Sequence, residues 1–182
     1  MIKKVDILGI QLDNYTVREA IMCVERYLSN NVLNTIESIS LQMLIDSETN
    51  PVLKEVMSSL DLAIIGEKEI IQAAGLESMQ RIRETEENDF YFEFFKRIER
   101  NKKSVFLLGD TQEKIDSLKA ELIEDYPKLI FAGEYAVETC VGDLEAVIND
   151  MNATTPDVII SVLPSPMQEQ FLYEHRDKMN AN

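Results

Sequence analysis

Four short polar segments carry the side chains best suited to chemistry in this sequence, and each follows an apolar run. The segments are Ser38 to Gln42, Gly66 to Glu69, Gly109 to Thr111 and Pro164 to Glu169. They hold hydroxyls, amides and carboxylates beside glycines and helix start signals. In open α/β sheets, ligands bind beyond the carboxyl ends of the strands, where helix N-termini can hold an anion. The residue types in these places predict a phosphate-binding end of a sheet.

Each segment also has a purely structural interpretation. Gly109 suits a tight turn from strand to helix, and Glu67 suits an exposed helix start. Gln168 and Glu169 suit a first helical turn, where an amide completes a capping box and a carboxylate complements the dipole. The single histidine, His175, suits a helix C-terminus. The sequence contains neither G-x-G-x-x-G, a P-loop nor a G-x-S-x-G elbow, which disfavours those nucleotide-binding and hydrolase folds.

The elements that must position these segments are short buried strands and amphipathic helices. Runs of apolar, β-branched residues predict strands at 5–8, 62–65, 105–108, 129–132 and 158–162, with a weaker strand at 32–37. Caps and apolar stripes predict helices from Thr16, from Asp110, over 144–151, over 90–98 and over 166–179 with Ser165 as cap. The polar residues 81–89 are predicted to form a surface loop.

From residue 105 onward, strands and helices alternate. That order predicts an α/β fold: a three-layer, Rossmann-like domain with a mainly parallel sheet. A length of 182 residues, 45% of them hydrophobic, suits a single domain over 1–182 with a real core.

Composition excludes several classes of function. A formal net charge of −15 opposes binding to nucleic acid, so no nucleic-acid partner is expected. One histidine and two distant cysteines give no metal-ligand cluster and no disulfide framework, and no cofactor or metal is predicted. Neither a signal peptide nor an apolar run of about 18 residues is visible, which predicts a cytoplasmic protein.

Several segments, in order along nearly the whole chain, resemble the WecG/TagA/CpsF family of bacterial glycosyltransferases. They are Ile7 to Thr16 (the family's "D-N-x-T" helix start), Ser104 to Gly109 ("VFLLGG"), Tyr126 to Ile130 ("YPgLkI") and Met151 to Asp177 ("iNas.pDillVglG.PkQE.wi..hRd"). The resemblance implies an inverting transfer of a hexose or N-acetylhexosamine, such as N-acetylmannosamine, from a UDP-sugar. The implied acceptor is a sugar on undecaprenyl diphosphate, in the synthesis of cell-surface polysaccharide or teichoic acid.

The resemblance also implies which residues touch substrate. Gln168 and Glu169 match the family's "QE" and are expected to bind substrate. Ser38 and Ser40 align with its "T-x-N" and are expected to do the same, while Gly109 is expected to line the nucleotide end.

The catalytic base is the position at which this sequence departs most from the family. The family's proposed catalytic aspartate falls on Gly66, which has no side chain. An inverting transfer needs a carboxylate to take the acceptor hydroxyl proton, so the neighbouring Glu67 is the expected substitute. Acidic residues at Glu86, Glu87 and Asp110 replace neutral ones, which weakens the expectation of anion binding.

Three functional interpretations stay open on this sequence. The first is the glycosyltransferase, with a UDP-sugar donor and a lipid-diphosphate-linked sugar acceptor as partners, a homo-oligomeric state, and peripheral contact with the inner face of the membrane. The second is a catalytically inactive paralogue that acts as a binding or regulatory subunit. The third is an unrelated α/β binding domain. The family's C-terminal strand and basic tail have no counterpart in this sequence, so a short version of the family domain is expected.

Overall fold

The computed structural model describes residues 3–76, 78–139 and 144–181. The chain divides into two compact units, unit 1 with Met1–Arg26 and Asn34–Phe94, and unit 2 with Tyr27–Leu33 and Phe95–Asn182. Each unit has its own sheet, and strand pairing is largely parallel. The predicted α/β, Rossmann-like class is confirmed. The assignment of residues 1–182 to a single domain stays a prediction.

Unit 1 is built on a four-stranded sheet. Its strands are β1 (Lys4–Ile7), β2 (Ile10–Asp13), β3 (Ile36–Ile39) and β4 (Leu62–Ile65). They lie in the order β1-β2-β4-β3, with β4 parallel to both neighbours and β1 antiparallel to β2. The strand predicted at 62–65 is confirmed as β4. The weak strand predicted at 32–37 is observed as β3, which begins four residues later than predicted, at Ile36.

The β1–β2 hairpin was not predicted, because its turn carries a residue that gives no turn signal. Leu8 and Gly9 both have positive φ, 54° and 81°, as two-residue hairpin turns require. The Asp6 carboxylate fixes the turn by accepting the Gly9 N–H at 3.1 Å. Beyond the turn, Ile10 and Leu12 are fully buried. The hairpin therefore places two core side chains, Ile10 and Leu12, in strand β2.

Helices connect and cover these strands. In chain order they are α1 (Val17–Tyr27), α2 (Leu41–Ser47), α3 (Pro51–Ser59), α4 (Lys68–Ala73), α5 (Met79–Glu86) and α6 (Asp89–Arg100). The capping box predicted at α1 is confirmed, since Thr16 N–H donates to Glu19 at 3.0 Å and Glu19 N–H donates to Thr16 Oγ1 at 3.3 Å. The Thr16 backbone bond and the Lys3 ammonium hold the pKa of Glu19 below its usual value.

The prediction of a surface loop over residues 81–89 is wrong. Most of that stretch is α5, and α6 begins at Asp89. Charge indicated exposure, yet Arg81 and Glu84 are only 7% and 9% exposed. They lie one turn apart and face each other as an ion pair, which lowers the cost of burying them.

Unit 2 contains a three-stranded, wholly parallel sheet. Its strands are β5 (Ser104–Gly109), β6 (Ile130–Ala136) and β7 (Val158–Val162), in the order β6-β5-β7. The helices are α7 (Gln112–Asp125), α8 (Glu145–Thr154) and α9 (Met167–His175). The three strands predicted here are confirmed, although the edge strand β6 is only partly buried and runs four residues past its predicted end at 132. Phe106, Leu108, Val147 and Met151 are central to the core.

Two predicted helix starts are wrong by one or two residues. Thr111, not Asp110, caps α7, since its side chain accepts the Lys114 N–H. The Asp110 carboxylate instead pairs with the Lys114 ammonium at 2.6 Å. Helix α9 begins after Pro166, with no side-chain cap, so Ser165 does not cap it. The last predicted helix ends at His175 rather than 179, and a 3-10 turn follows.

One carboxylate ties β5 to β7 at their first residues. Asp157 accepts hydrogen bonds from Lys103 Nζ at 2.7 Å and from the backbone N–H and hydroxyl of Ser104 at 2.8 and 3.1 Å. Burial acts to raise the pKa of Asp157, but these bonds outweigh it and hold the pKa below its usual value. The ionised carboxylate therefore stabilises the sheet.

The substitution Asp157→Asn is expected to lower the free energy of unfolding by about 1–2 kcal/mol at neutral pH, because it removes a charged acceptor from three donors. The pKa is depressed in the folded chain, so the contribution is present above the unfolded pKa of about 3.9 and is lost as pH falls through the folded value. Urea unfolding of both proteins at several pH values should show their difference shrinking below about pH 4. Asp150→Asn, on the exposed face of α8, is the control. Equal midpoints for the two variants would contradict the assignment.

Candidate functional site

A cleft opens in unit 1 beside the carboxyl ends of β3 and β4. It is a small cleft that is partly open to solvent. Ser38 of β3 and Gly66, which follows β4, form one wall, and Tyr15 and Val17 at the start of α1 form another. Parallel strands that end together beside a helix start are the usual place for a ligand in such folds.

The third wall comes from α5 and α6 and contains a buried ion pair. Arg81 Nη1 lies 3.7 Å from Glu84 Oε2, and that oxygen accepts the Val17 N–H at 3.2 Å. The Nε of Arg81 is buried and has no hydrogen-bond partner among the described residues. Burial lowers the pKa of Arg81, while the charges of Glu84 and Glu19 oppose that shift. The guanidinium stays charged at neutral pH because its ordinary pKa is so high.

Tyr91 places a second hydroxyl beside Ser38. The residue exposes 45% of its surface, and partial burial raises the pKa of its hydroxyl. The hydrogen bond with Ser38 acts in the opposite direction, and the charge of Glu37 adds to the rise. The phenol is therefore protonated at neutral pH. Together the two hydroxyls can donate to and accept from a polar ligand.

Gly66 is tightly enclosed at the end of β4. Its N–H donates to the carbonyl of Ile39 at 3.0 Å. A Cβ at this position would lie 2.5 Å from Ser38 Oγ and 2.8 Å from the Ile39 carbonyl oxygen. Both distances are shorter than real Cβ contacts, and one of the atoms is backbone. The space beside Gly66 therefore cannot hold an aspartate unless β3 shifts.

Ser40 and Glu67 meet at the start of α2. The Ser40 hydroxyl caps this helix by accepting the Met43 N–H at 3.1 Å, and Glu67 Oε2 accepts the Leu41 N–H at 3.1 Å. Glu67 is half-buried and is also the residue before α4, as the sequence predicted for a helix start. The described lining of the cleft includes Ser38 but neither of these two residues.

The remaining predicted residues lie in unit 2. A Cβ on Gly109 would lie 2.7 Å from Ile115 Cγ1, so glycine lets α7 approach the end of β5. Gln168 is half-buried in the first turn of α9. Glu169 is 1% exposed, and neither carboxylate oxygen has a hydrogen-bond partner among the described residues. An unpaired buried carboxylate is costly, so the Glu169 oxygens have unused capacity to accept a hydrogen bond from a ligand.

At the start of α7, a carboxylate from another element accepts a hydrogen bond from a backbone N–H. Glu138, in the 3-10 turn Val137–Thr139, accepts the Gln112 N–H at 2.6 Å. This is the arrangement seen for Glu84 at α1 and for Glu67 at α2.

Neither a metal centre nor a membrane span is found in the part of the chain that the structure describes. No group of three histidine, cysteine or acidic side chains there could hold a metal ion. None of the described helices is long and apolar enough to cross a bilayer.

Comparison with known proteins decides the family. The profile described as "Glycosyl transferase WecG/TagA/CpsF family" matches residues 5–182. The chain belongs to this family. Among its curated relatives are N-acetylglucosaminyldiphosphoundecaprenol N-acetyl-beta-D-mannosaminyltransferases of Staphylococcus aureus, strains NCTC 8325 / PS 47 and COL. Each is 21% identical over 180 residues, which cover 98% of this chain and 70% of the relative.

In this WecG/TagA/CpsF chain, the third wall of the cleft was not predicted from the sequence. Arg81, Glu84 and Tyr91 were passed over because charge and aromatic content indicated a loop and a packing helix. The spacing of Arg81 and Glu84, three residues apart with opposite charge, is a helix-face signal that could have identified them.

The substitution Gly66→Ala is expected to lower the free energy of unfolding by about 1–3 kcal/mol, because the added methyl overpacks the end of β4. Adding Ser38→Ala should recover only part of this loss, since the Ile39 carbonyl still lies 2.8 Å from the new Cβ. Urea denaturation of both single variants and the double variant measures the recovery. A Gly66→Ala chain as stable as the wild type would show that β3 yields without cost.

Proposed function

We propose that this chain transfers a hexose or N-acetylhexosamine, such as N-acetylmannosamine, from a UDP-sugar to a sugar carried on undecaprenyl diphosphate, with inversion. The observation that carries the proposal is the family match over residues 5–182. The S. aureus relatives are named for an N-acetylmannosamine transfer to N-acetylglucosaminyldiphosphoundecaprenol, and they align with 98% of this chain. The product would enter cell-surface polysaccharide or teichoic acid synthesis.

Substrate contacts are proposed separately for each unit. In unit 1, Ser38 lines the cleft and offers a hydroxyl to a sugar, with Ser40 nearby at the start of α2. In unit 2, Gly109 ends β5, and Gln168 and Glu169 lie in the first turn of α9. The two unpaired oxygens of Glu169 support a role in accepting hydrogen bonds from ligand hydroxyl or amide groups.

Glu67 is the proposed general base. The reaction needs a carboxylate that removes the acceptor hydroxyl proton as the sugar moves. Glu67 follows the position of the family's aspartate by one residue, and its carboxylate is half-buried. To act, it must exchange its hydrogen bond to the Leu41 N–H for one to the acceptor hydroxyl.

The transfer reaction tests this proposal directly. Purified chain is mixed with UDP-N-acetylmannosamine and an N-acetylglucosamine-diphosphate lipid, and UDP release is measured. Glu67→Gln should lower kcat by about 100-fold or more, the usual worth of a general base. Glu69→Gln, an exposed acid two residues further on, is the matched control. Absence of UDP release by wild-type chain with any UDP-hexose or UDP-hexosamine would reject the transferase, and equal kcat for the two variants would reject Glu67.

A catalytically inactive paralogue is the second candidate. It is favoured by Gly66, because the base position of the family carries no side chain and leaves no space for one. Such a chain would serve as a binding or regulatory subunit of an active transferase. It would co-purify with an active family member and raise that enzyme's rate while releasing no UDP alone.

The proposed location follows from the acceptor. A lipid-linked sugar is held in the membrane, so the chain would act as a cytoplasmic protein in peripheral contact with the inner face. A homo-oligomeric state is part of the same proposal, and light scattering of the purified chain measures it.

A further inference from the structure

The carboxylate of Glu84 lies against several donors in unit 1. Its Oε2 accepts the N–H of Val17, the first residue of α1, at 3.2 Å. The same oxygen faces Arg81 Nη1 at 3.7 Å, and Oε1 accepts the side-chain amide of Gln80 at 2.8 Å. A helix N-terminus, an amide and a guanidinium that converge on one anionic group are the donors that proteins use for phosphate.

Arg81 is an independent sign that this wall can bind an anion. The residue is more than nine-tenths buried, lines the cleft, and keeps one buried N–H without a partner among the described residues. Its 3.7 Å approach to Glu84 is an ion pair but is too long for a hydrogen bond. The donors therefore exceed what Glu84 uses, and an unused buried donor is costly.

The surrounding charge determines which ligand can reach these donors. The Glu84 and Glu19 carboxylates both act on Arg81, with Glu84 the stronger, and Glu19 is also paired with the Lys3 ammonium at 3.2 Å. A phosphate group approaching with Glu84 in place would find the Val17 and Gln80 donors occupied and would be repelled by the Glu84 charge. Without the Glu84 charge, the same donors would face an incoming anion directly.

We propose that the α1 N-terminus, Gln80 and Arg81 form an anion site, and that Glu84 fills it as an internal ligand. Glu84 is then a specificity-determining residue, because it keeps phosphate groups off this wall and leaves the wall to uncharged parts of a ligand. This goes beyond the proposed function, since it holds whether or not a sugar is transferred.

Inorganic pyrophosphate is the probe, and isothermal titration calorimetry measures its Kd. Glu84→Gln removes the charge, and Glu84→Ala also empties the site. Both variants are expected to bind pyrophosphate at least tenfold tighter than the wild-type chain. Thermal unfolding confirms that each variant is folded, and either folded variant is sufficient for the test.

Two further variants separate the site from general electrostatics. Glu86→Gln removes the same charge from the same helix at an exposed position paired with Lys68, and should stay within twofold of the wild type. Arg81→Met added to Glu84→Gln should abolish the gain. The inference is overturned if folded Glu84 variants bind no tighter than Glu86→Gln, or if the gain survives Arg81→Met. Pyrophosphate binding requires neither sugar nor acceptor, so its failure and a failed transfer assay remain distinguishable.

Discussion

Backbone N–H groups at helix starts need acceptors, and at three of the described helices carboxylates from elsewhere in the chain supply them. Glu84 binds the first N–H of α1, Glu67 that of α2 and Glu138 that of α7. Each bond joins a helix that follows a strand to a different part of the chain, so the loops at the carboxyl ends of the strands are held together by charge-assisted hydrogen bonds. The acidic composition of the chain is thus partly structural, because it satisfies donors that a ligand could otherwise use.

The sequence predicts an element well where its residue types alone indicate whether it is buried. The parallel strands β4, β5 and β7 are apolar on both faces, and their positions were predicted closely. The β1–β2 hairpin was missed because Leu8 occupies a left-handed position without being a turn former. Helix α5 was missed because its buried charges, once paired, do not follow the rule that charge means exposure.

In the candidate site, too, some features could be predicted from residue type, and others arise only from tertiary packing. Ser38 was predicted to follow a strand, but it lies within β3, where the structure finds it on the cleft wall. The structural role suggested for Gly109 agrees with its contact to Ile115. Glu67 precedes α4 as predicted, but it is half-buried and its carboxylate accepts the first N–H of α2 rather than capping its own helix. The contribution of Arg81 and Glu84 could not be predicted, because it arises from the packing of α5 against the start of α1. That packing is a tertiary contact between residues 67 positions apart.

The enclosure of Gly66 has a consequence for how this sequence can vary. Its missing Cβ lets the Ser38 hydroxyl and the Ile39 carbonyl approach the end of β4. Any route that introduces an acidic side chain at position 66 must therefore pass through a change in β3 first. Positions 38 and 66 are therefore coupled, but removing the Ser38 hydroxyl alone leaves the Ile39 carbonyl in place, so the β3 backbone must move as well. The backbone path of β3 thus limits which side chains, and hence which chemistry, position 66 can carry.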